Sequence, residues 1–464
     1  MMRAKVSDTL RWFPVSRTFM RPALATASVP RSLRLSGRHH YFCTATTPTS
    51  TRTDRPAKQP RDSLVEDSLA FGSDLELREG YLNSFGNIRL GMVLEDLDGF
   101  AGKIAYKHTE GQSTPVHTVG VHNRVPTTAG SAFNTTIVTA AVDRIQLINP
   151  IRGDKDLKMK GLVTWVGKSS MEVRAEVYSV MDDETNVLPH MLAHFVMVAR
   201  TKDASSALVV PALQPVTPEE RRRFEQGAIN ATYRKEAANT SLMRLPPRPE
   251  EVSLIHNFFM QQHWRSKMAL LSASSSSASS SPVHRHYVLM SDTGHSSTQW
   301  THPQNRNIHG NIYGGFLMRQ AFELAFASCG MFAKERPEFV SMDDIHFIKP
   351  VRIGSILSFH CNVVYTAEDK KEEATKHEGE GDNGEKTFPL IQMRVQANVC
   401  ELGSDVEETT NVFHITFRCN SNKKQILPNT YGEAMEYLHG RRRLLRAQAA
   451  KEDLTKELYS FGRL

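Results

Sequence analysis

One glycine-led stretch occurs twice in this chain, and the duplication limits the possible folds more than any other feature. Residues 86–108 read GNIRLGMVLEDLDGFAGKIAYKH, and a second copy begins at Gly310 with GNIYGG. The pattern Gly-Asn-Ile-x-x-Gly thus recurs with an offset of 224 residues. A repeat of this kind predicts two copies of one structural unit.

Each copy opens an apolar segment with the spacing of a helix. The apolar positions recur at steps of three and four residues, which places them along one stripe of a helix. In the first copy they are Leu90, Leu94, Leu97, Ala101, Ile104 and Ala105, and in the second Leu317, Ala321, Leu324, Ala325 and Ser328. A glycine-rich turn before a buried helix leaves backbone N–H groups free at the helix start, where they favour an anion or oxyanion.

Strand-like segments follow each helix in the same order. The first half offers 138–148, 162–166, the alternating run 171–178 and 194–199, and the second half offers 340–349, 354–364, 391–399 and 411–417. The offset between Pro150 and Pro350 is 200, so the first half carries 24 additional residues in a Gly/Thr-rich loop at 109–136. Both halves are therefore predicted to be one helix followed by about four antiparallel strands.

The charge of the chain is concentrated at its start. Residues 1–61 hold 12 Lys and Arg against two acids, whereas the remainder holds 45 basic and 48 acidic residues. An Arg- and Ser-rich leader with few acids is typical of a mitochondrial transit peptide, and a merely disordered basic tail is the alternative. The near-neutral remainder gives no reason to expect nucleic-acid binding.

Other compositional signals exclude several classes of protein. No apolar run approaches the roughly 18 residues of a membrane span. Five scattered cysteines without a CxxC pair predict neither a disulfide framework nor a metal site. We therefore expect no transmembrane segment and no metal.

The chain divides into five predicted regions. They are a leader at 1–61, a first domain at 62–205, a connector at 206–284, a second domain at 285–440 and a tail helix at 441–464. The connector includes a helix start with Thr217 and Glu220 as a capping box, and a serine-rich linker at 272–281. The charged stretch 368–386 is predicted to be a solvated loop, and the charged helices after Thr217 and near Arg441 are predicted to be solvated.

Seven segments then carry a resemblance to a known family. They are RLGMVLEDLDGFAGKIAYKH, VTAAVDRIQLINPI, VTWVGKSSMEV, PQNRNIHGNIYGGFLMRQAFELAF, FVSMDDIHFIKPV, TTNVFHITF and LPNTYGEAMEYLHGRR. Over about residues 80–440 the chain resembles the double hot-dog thioesterase family, in particular its mitochondrial acyl-coenzyme A thioesterase 9 type. The resemblance implies an α+β tandem hot-dog fold, in which each half is a long central helix wrapped by an antiparallel sheet.

The resemblance also implies where hydrolysis occurs, namely where two hot-dog units pack helix against helix. One unit supplies a helix Asp and the other an Asn in the glycine-rich turn. Aligning the repeats places Asn87 over Asn311 and Asp98 over Phe322. Asn311 and Asp98 then form one complete catalytic site, with oxyanion donors near Gly314 and Gly315, whereas Asn87 would face Phe322.

Each of these assignments has a plainer alternative. Asp98 lies in an acid-rich helix segment and would also suit a solvated surface position. Asn311 would also suit a turn that needs unusual backbone angles. The turn Gly167, Lys168, Ser169 and Ser170 is predicted to bind the phosphates or pantetheine of coenzyme A, or else is only a polar hairpin turn. Tyr365–Ala367 is the corresponding place in the second half and lacks these groups.

The predicted function is therefore the hydrolysis of fatty acyl-CoA to a free fatty acid and coenzyme A. No cofactor is expected, because coenzyme A is part of the substrate. The alternatives are an acyl-thioester hydratase or dehydratase of the same fold and a catalytically silent CoA-binding protein. The resemblance further implies a mitochondrial matrix location and a homo-oligomer, a trimer of double hot-dogs.

Overall fold

A computed structural model describes residues 56–111, 135–180, 187–260, 287–369 and 388–459, except for residues 203, 243, 405 and 421–423. The leader up to residue 55 and the serine-rich linker lie outside the described residues. So do residues 112–134 of the Gly/Thr-rich loop and residues 370–386 of the charged loop.

The described chain contains six α-helices and twelve β-strands. The helices are α1 (Leu75–Tyr81), α2 (Leu90–Glu110), α3 (Pro218–Asn239), α4 (described over 249–260), α5 (Gly314–Ala333) and α6 (Tyr431–Tyr459). The strands of the first half are β1 (Val65–Leu69), β2 (Thr135–Leu147), β3 (Leu157–Val166), β4 (Ser170–Val180) and β5 (Val187–Thr201). Those of the second half are β6 (Tyr287–Leu289), β7 (His295–Trp300), β8 (Glu338–Phe347), β9 (Ile356–Asp369), β10 (Phe388–Cys400), β11 (Glu407–Arg418) and β12 (Gln425–Leu427).

Ten of these strands form one continuous antiparallel sheet. Its order is β1-β3-β4-β5-β2-β8-β11-β10-β9-β7, so the second half repeats the first half in reverse order. The halves join where β2 pairs with β8, with Val142 opposite Ile345 and Ile145 opposite Met342. The two short strands β6 and β12 pair separately.

Each half of the sheet wraps one long helix. Helix α2 is buried nearly all round, because one side meets its own strands and another side packs against α5. The apolar stripes predicted from the sequence supply much of this core, including Leu94, Leu97, Ala321 and Ala325. The fold is thus the tandem hot-dog of the α+β class, as the sequence predicts.

Each half has five strands in this sheet, so the prediction of about four is one short. The additional strands are β1 and β7, which precede the helices and form the two edges of the sheet. Their sequences, VEDSL and HSSTQW, are polar because an edge strand keeps one face and one side in water. They therefore carry no periodic apolar signal.

The outer face of the sheet is covered, which the sequence analysis did not predict. Glu172 and Arg174 alternate with core residues in β4, yet their side chains are only 1% and 3% exposed. Helix α3 covers this face, with the capping box of Thr217 and Glu220 at its start and Arg234 paired to Glu172. The prediction that α3 is solvated is therefore wrong for the side of the helix that faces the sheet.

Helix α6 covers the corresponding face of the second half. It begins at Tyr431, ten residues before the predicted tail helix, and it buries Leu438 and Leu444. Arg443 and Arg446 bond Asp344, which follows Asp343 in β8. The expectation of a solvated terminal helix is corrected accordingly, because its apolar residues and arginines both contact the sheet.

Candidate active site

The turns before α2 and α5 are built in the same way. Asn83 and Asn307, again 224 residues apart, each accept two backbone N–H bonds on their side-chain oxygens at 2.9 and 3.1 Å. Gly86 and Gly310 have φ values of +74° and +80°, which favour glycine. The shared turn geometry directs both helix starts toward the partner helix.

Asp98 of α2 lies against the start of α5. Its carboxylate accepts a hydrogen bond from the Gly315 N–H at 2.8 Å and another from the Thr139 hydroxyl at 2.7 Å. The residue is 2% exposed. Asp98 is therefore an interface residue between the two halves, which excludes the alternative of a solvated surface acid.

Glycine is needed where α5 approaches Asp98. A Cβ on Gly314 would lie 3.1 Å from a carboxylate oxygen of Asp98. A Cβ on Gly315 would lie 2.8 Å from the backbone oxygen of Glu95 and 2.7 Å from the ring of Tyr313. The two glycines thus allow the helix start to reach the acid.

The protein environment raises the pKa of Asp98 from 3.8 to about 6. Burial is the main cause, since a charged carboxylate loses its hydration there. The hydrogen bonds from Thr139 and Gly315 oppose this effect because they stabilise the charged form. The result is a buried acid that exchanges a proton just below neutral pH.

The side chain of Asn311 does not hydrogen-bond Asp98 in the way that the resemblance implies. Its backbone N–H donates to Asn307, and its side chain is not among the hydrogen-bond partners of Asp98. Asp98 instead bonds Gly315, four residues further along. Asn311 therefore sits in the turn before the site, and the structure shows no direct pair between it and Asp98.

The repeat creates a second, pseudo-equivalent position where α5 meets the start of α2, and apolar residues occupy it. Phe322 of α5 takes the place of Asp98 and faces Gly91, the counterpart of Gly315. Phe339 takes the place of Thr139, and the two rings meet edge to face with centroids 5.3 Å apart. An aromatic pair thus replaces the Asp–Thr pair, as the repeat alignment of Asp98 with Phe322 anticipates.

A large cavity opens at this second position. It has a volume of about 1820 Å³ and is lined by residues around Gly91, Phe322 and Phe339, together with the end of β2. Asp98, Thr139 and Gly315 do not line it. The acid and the cavity therefore occupy opposite pseudo-symmetric ends of the helix pair.

The predicted coenzyme A turn lies at the same end of the sheet as Thr139. Ser170 of β4 pairs with Val198 of β5, which pairs in turn with Val138 of β2. Two strand spacings separate the turn from the site, a distance of about 10 Å. Within the turn the Gly167 N–H bonds the Ser170 carbonyl at 2.8 Å, and the exposed Lys168 leaves its side chain in solvent. The Ser169 carbonyl accepts from the Ala199 N–H at 2.8 Å, which ties the turn to β5.

The proposed counterpart of this turn in the second half was misplaced. Tyr365, Thr366 and Ala367 lie inside β9 and pair with β10, so they form no turn. The connection that matches 167–169 in topology is the one between β9 and β10, whose residues 370–387 lie outside the described residues. The acidic loop lengthens this hairpin, and the alignment by sequence therefore slipped.

The sequence analysis missed two site residues. Thr139 is 41 residues from Asp98, and Asn307 is one of several polar residues before the repeat. The repeat itself would have found Asn307, because Asn83 occupies the same offset of 224. Thr139 would have followed from aligning it with Phe339 at the strand offset of 200.

His309, the residue before Gly310, has a structural role. His309 bonds the hydroxyl of Tyr106 at 3.0 Å, and that hydroxyl also accepts the Ile137 N–H. Burial lowers the pKa of His309, which keeps its ring neutral. Within the described ranges no group of three metal-binding side chains occurs, and no helix has the length and apolarity to span a membrane.

Comparisons with known proteins place this arrangement in a class. The thioesterase superfamily profile matches residues 124–185 and 309–368, once in each half of the chain. Among solved structures, the chain also matches a putative oleoyl thioesterase from Lactobacillus plantarum, with 10% identity, a TM-score of 0.40 and coverage of 77% of this chain and 97% of that chain.

Sequence relatives narrow the class to one family. Human mitochondrial acyl-coenzyme A thioesterase 9 is 36% identical over 388 residues, covering 83% of this chain and 78% of that protein. Mouse mitochondrial acyl-coenzyme A thioesterase 10 is 35% identical with the same coverage. A chloroplastic acyl-coenzyme A thioesterase 2 from Humulus lupulus is 29% identical over 392 residues, covering 82% and 80%. The chain belongs to the acyl-coenzyme A thioesterase 9 family of tandem hot-dog proteins.

Proposed function

We propose that this protein hydrolyses fatty acyl-CoA to a free fatty acid and coenzyme A at the Asp98 site. The observation that carries the proposal is the buried carboxylate of Asp98 held between Thr139 and the start of α5. The relatives named above are acyl-CoA thioesterases, which supports the same substrate class.

The proposed mechanism is general-base hydrolysis. Ionised Asp98 takes a proton from a water molecule as the water oxygen bonds to the thioester carbon. The carbonyl electrons move to oxygen, and the N–H of Gly314 at the start of α5 stabilises the oxyanion, while the N–H of Gly315 holds the Asp98 carboxylate in place. When the oxyanion collapses, the C–S bond breaks and the proton passes from Asp98 to the sulfur of coenzyme A. A pKa of about 6 suits both proton transfers at neutral pH.

The other candidate residues take supporting roles in this proposal. Asn311 positions the water or the carbonyl from the turn before Gly314. The turn at 167–170 receives the phosphates or pantetheine of coenzyme A, because a lysine and two hydroxyls suit a phosphate. Its place at the Thr139 end of the sheet supports this role.

Hydration chemistry is the weaker candidate. A hydratase of this fold would need a catalytic His paired with an acid near the helix start. His309 instead bonds Tyr106, and the hydrogen bonds of Asp98 go to Thr139 and Gly315. Hydrolysis therefore fits the site better.

The proposal places the protein in the mitochondrial matrix as a trimer of double hot-dogs. Several relatives are named mitochondrial, which supports the organelle, and the basic leader suits import. Light scattering of the purified protein at micromolar concentration tests the assembly, since a monomer would contradict it. Fractionation of mitochondria followed by immunodetection tests the compartment, since a signal confined to the outer membrane would contradict it.

Rates of hydrolysis across acyl-CoA chain lengths test the function itself. Asn311→Ala should lower turnover, because it removes the proposed positioning group in the turn before Gly314. Asn87→Ala is the matched control: it makes the same change in the other repeat, where Phe322 replaces the acid, and turnover should stay within twofold. Equal losses in the two variants would refute the single-site assignment, and the absence of thioester hydrolysis with every chain length would refute the function.

A further inference from the structure

The cavity at the Phe322 end has the features of a ligand site although it lacks the acid. Phe322 and Phe339 supply an apolar wall where the catalytic end has Asp98 and Thr139. A volume of about 1820 Å³ exceeds the roughly 300–1,000 Å³ of small-molecule pockets, so it suits a long ligand.

The charges around this cavity favour an anion. Its lining contains seven Lys and Arg side chains and four Glu side chains, an excess of three positive charges. Four of the cations are paired with acids: Arg89 with Glu323, Arg174 with Glu176, Lys160 with Glu66 and Arg223 with Glu219. Arg336 at the rim is the cation that a phosphate-bearing ligand would meet beside Phe85.

The rim of the cavity presents an aromatic platform next to a cation. Phe85, in the turn before α2, is 57% exposed, and the guanidinium of Arg336 lies 4.7 Å from its ring centroid. Exposed aromatic rings with an adjacent arginine bind stacked bases and their phosphates. At the catalytic end the counterpart of Phe85 is His309, whose ring is hydrogen-bonded to the hydroxyl of Tyr106.

A buried polar atom also lines the cavity. Gln146 at the end of β2 is 5% exposed, and its side-chain oxygen has no hydrogen-bond partner among the described residues. A buried acceptor without a donor is costly, so a ligand N–H or O–H would stabilise it. The amide groups in the arm of coenzyme A are donors of this kind.

We infer that this cavity is a second, non-hydrolytic site that binds coenzyme A or its thioester. The apolar wall receives the acyl or pantetheine arm, Gln146 accepts an amide N–H, and Phe85 with Arg336 holds the adenosine phosphate end. The choice of coenzyme A as ligand rests on the proposed function, whereas the existence of the site rests on the cavity.

Calorimetric titration of the full-length chain with coenzyme A tests the inference. Two molecules per chain should bind to the wild type. Arg336→Glu and, separately, Phe85→Ala should weaken one of the two at least tenfold, while acyl-CoA hydrolysis stays within twofold. Arg244→Glu, the same charge change at an exposed arginine outside the cavity, should retain both.

ADP provides a second probe, because it carries the adenosine phosphate but lacks the arm. It should compete for the second site at least tenfold more weakly than coenzyme A. Equal affinities would overturn the assignment of the apolar wall to the arm. One coenzyme A per wild-type chain, or two in both cavity variants, would overturn the site itself. These outcomes do not depend on catalysis: two bound molecules without hydrolysis would refute only the proposed function.

Discussion

At the residue scale, the buried position of Asp98 lowers the stability of the folded protein and suits the acid to act as a base. Folding raises the pKa of the Asp98 carboxyl from 3.8 to about 6. Its ionised form therefore lowers the free energy of unfolding by about 3 kcal/mol at neutral pH. The folded state binds this proton more tightly than the unfolded state, so stability from this group falls as pH rises from about 4 to about 6. The protein retains the acid despite this cost because the proposed hydrolysis needs a base.

Asp98→Asn tests both consequences. The amide keeps the shape and accepts the Gly315 N–H, so turnover should fall by roughly a hundredfold or more while the fold stays intact. The free energy of unfolding at pH 7.5 should rise by as much as about 3 kcal/mol, since no charge is buried. Chemical denaturation measures it, and near pH 4 the gain should largely disappear. An unchanged stability at pH 7.5 together with full activity would contradict the assignment.

Thr139 is predicted to set the pH dependence of the site. Thr139→Val removes the hydrogen bond that stabilises ionised Asp98, so the pKa of Asp98 should rise above about 6. A bond to a charged group is worth about 1.5–3 kcal/mol, which corresponds to about one to two pH units. The acid limb of the kcat/KM profile should move to higher pH by that amount.

Thr139→Ser is the control for this prediction, because it keeps the hydroxyl. Its pH profile should match the wild type within a few tenths of a pH unit. A uniform loss of activity at all pH values in Thr139→Val would indicate a packing role only.

The sequence analysis singled out Asp98 and missed Thr139, for a physical reason. Asp98 lies beside an apolar helical stripe, and the repeat and the resemblance both point to it. Thr139 lies in a strand of mixed polarity, and its role arises only when β2 crosses the helix interface. A contact across 41 residues leaves no local pattern.

At the element scale, the close approach of α2 and α5 depends on glycine. Gly315→Ala would place a methyl group 2.8 Å from the Glu95 backbone oxygen, so the two helices must separate. We expect kcat/KM to fall at least tenfold and the melting temperature to drop. Gly102→Ala in α2 is the matched control, because its Cβ would have only Met197 nearby, at 4.0 Å.

The control should be neutral for hydrolysis and should stabilise the protein by up to about 1 kcal/mol through helix propensity. Steady-state kinetics and thermal unfolding of the two variants measure the contrast. Equal activity in both would show that the start of α5 is not fixed by Gly315.

The helices and strands that the sequence analysis predicted are those with a clear apolar periodicity. The long helices α2 and α5 and the inner strands carry it and were found. The edge strands β1 and β7 are short and polar, so they were missed. In α6, the buried Leu438 and Leu444 alternate with arginines that contact Asp344, and the charges concealed its packed face.

At the scale of the whole molecule, the two halves share one sheet and pack their long helices against each other. The pairing of β2 with β8 continues the ladder across the halves, and Arg319 of α5 bonds Glu95 of α2 at 2.9 Å. The order of strands within each half follows from the repeat, but the β2–β8 junction was not predicted, because strand pairing between repeats has no sequence signature. The proposed base, Asp98, and the proposed oxyanion donor, the Gly314 N–H, consequently come from different halves.

This division predicts complementation between fragments. Residues 56–260 carry Asp98 and Thr139, and residues 287–464 carry Asn311, Gly314 and Gly315. Neither fragment alone should hydrolyse acyl-CoA, because each lacks half of the site and exposes the apolar side of its long helix. Co-expression should restore hydrolysis, since β2 and β8 offer complementary edges. Asp98→Asn in the first fragment should abolish the restored activity, whereas Arg244→Glu should not. Activity in either fragment by itself would contradict a site shared between the halves, and copurification of the fragments without restored activity would contradict the assignment of its residues.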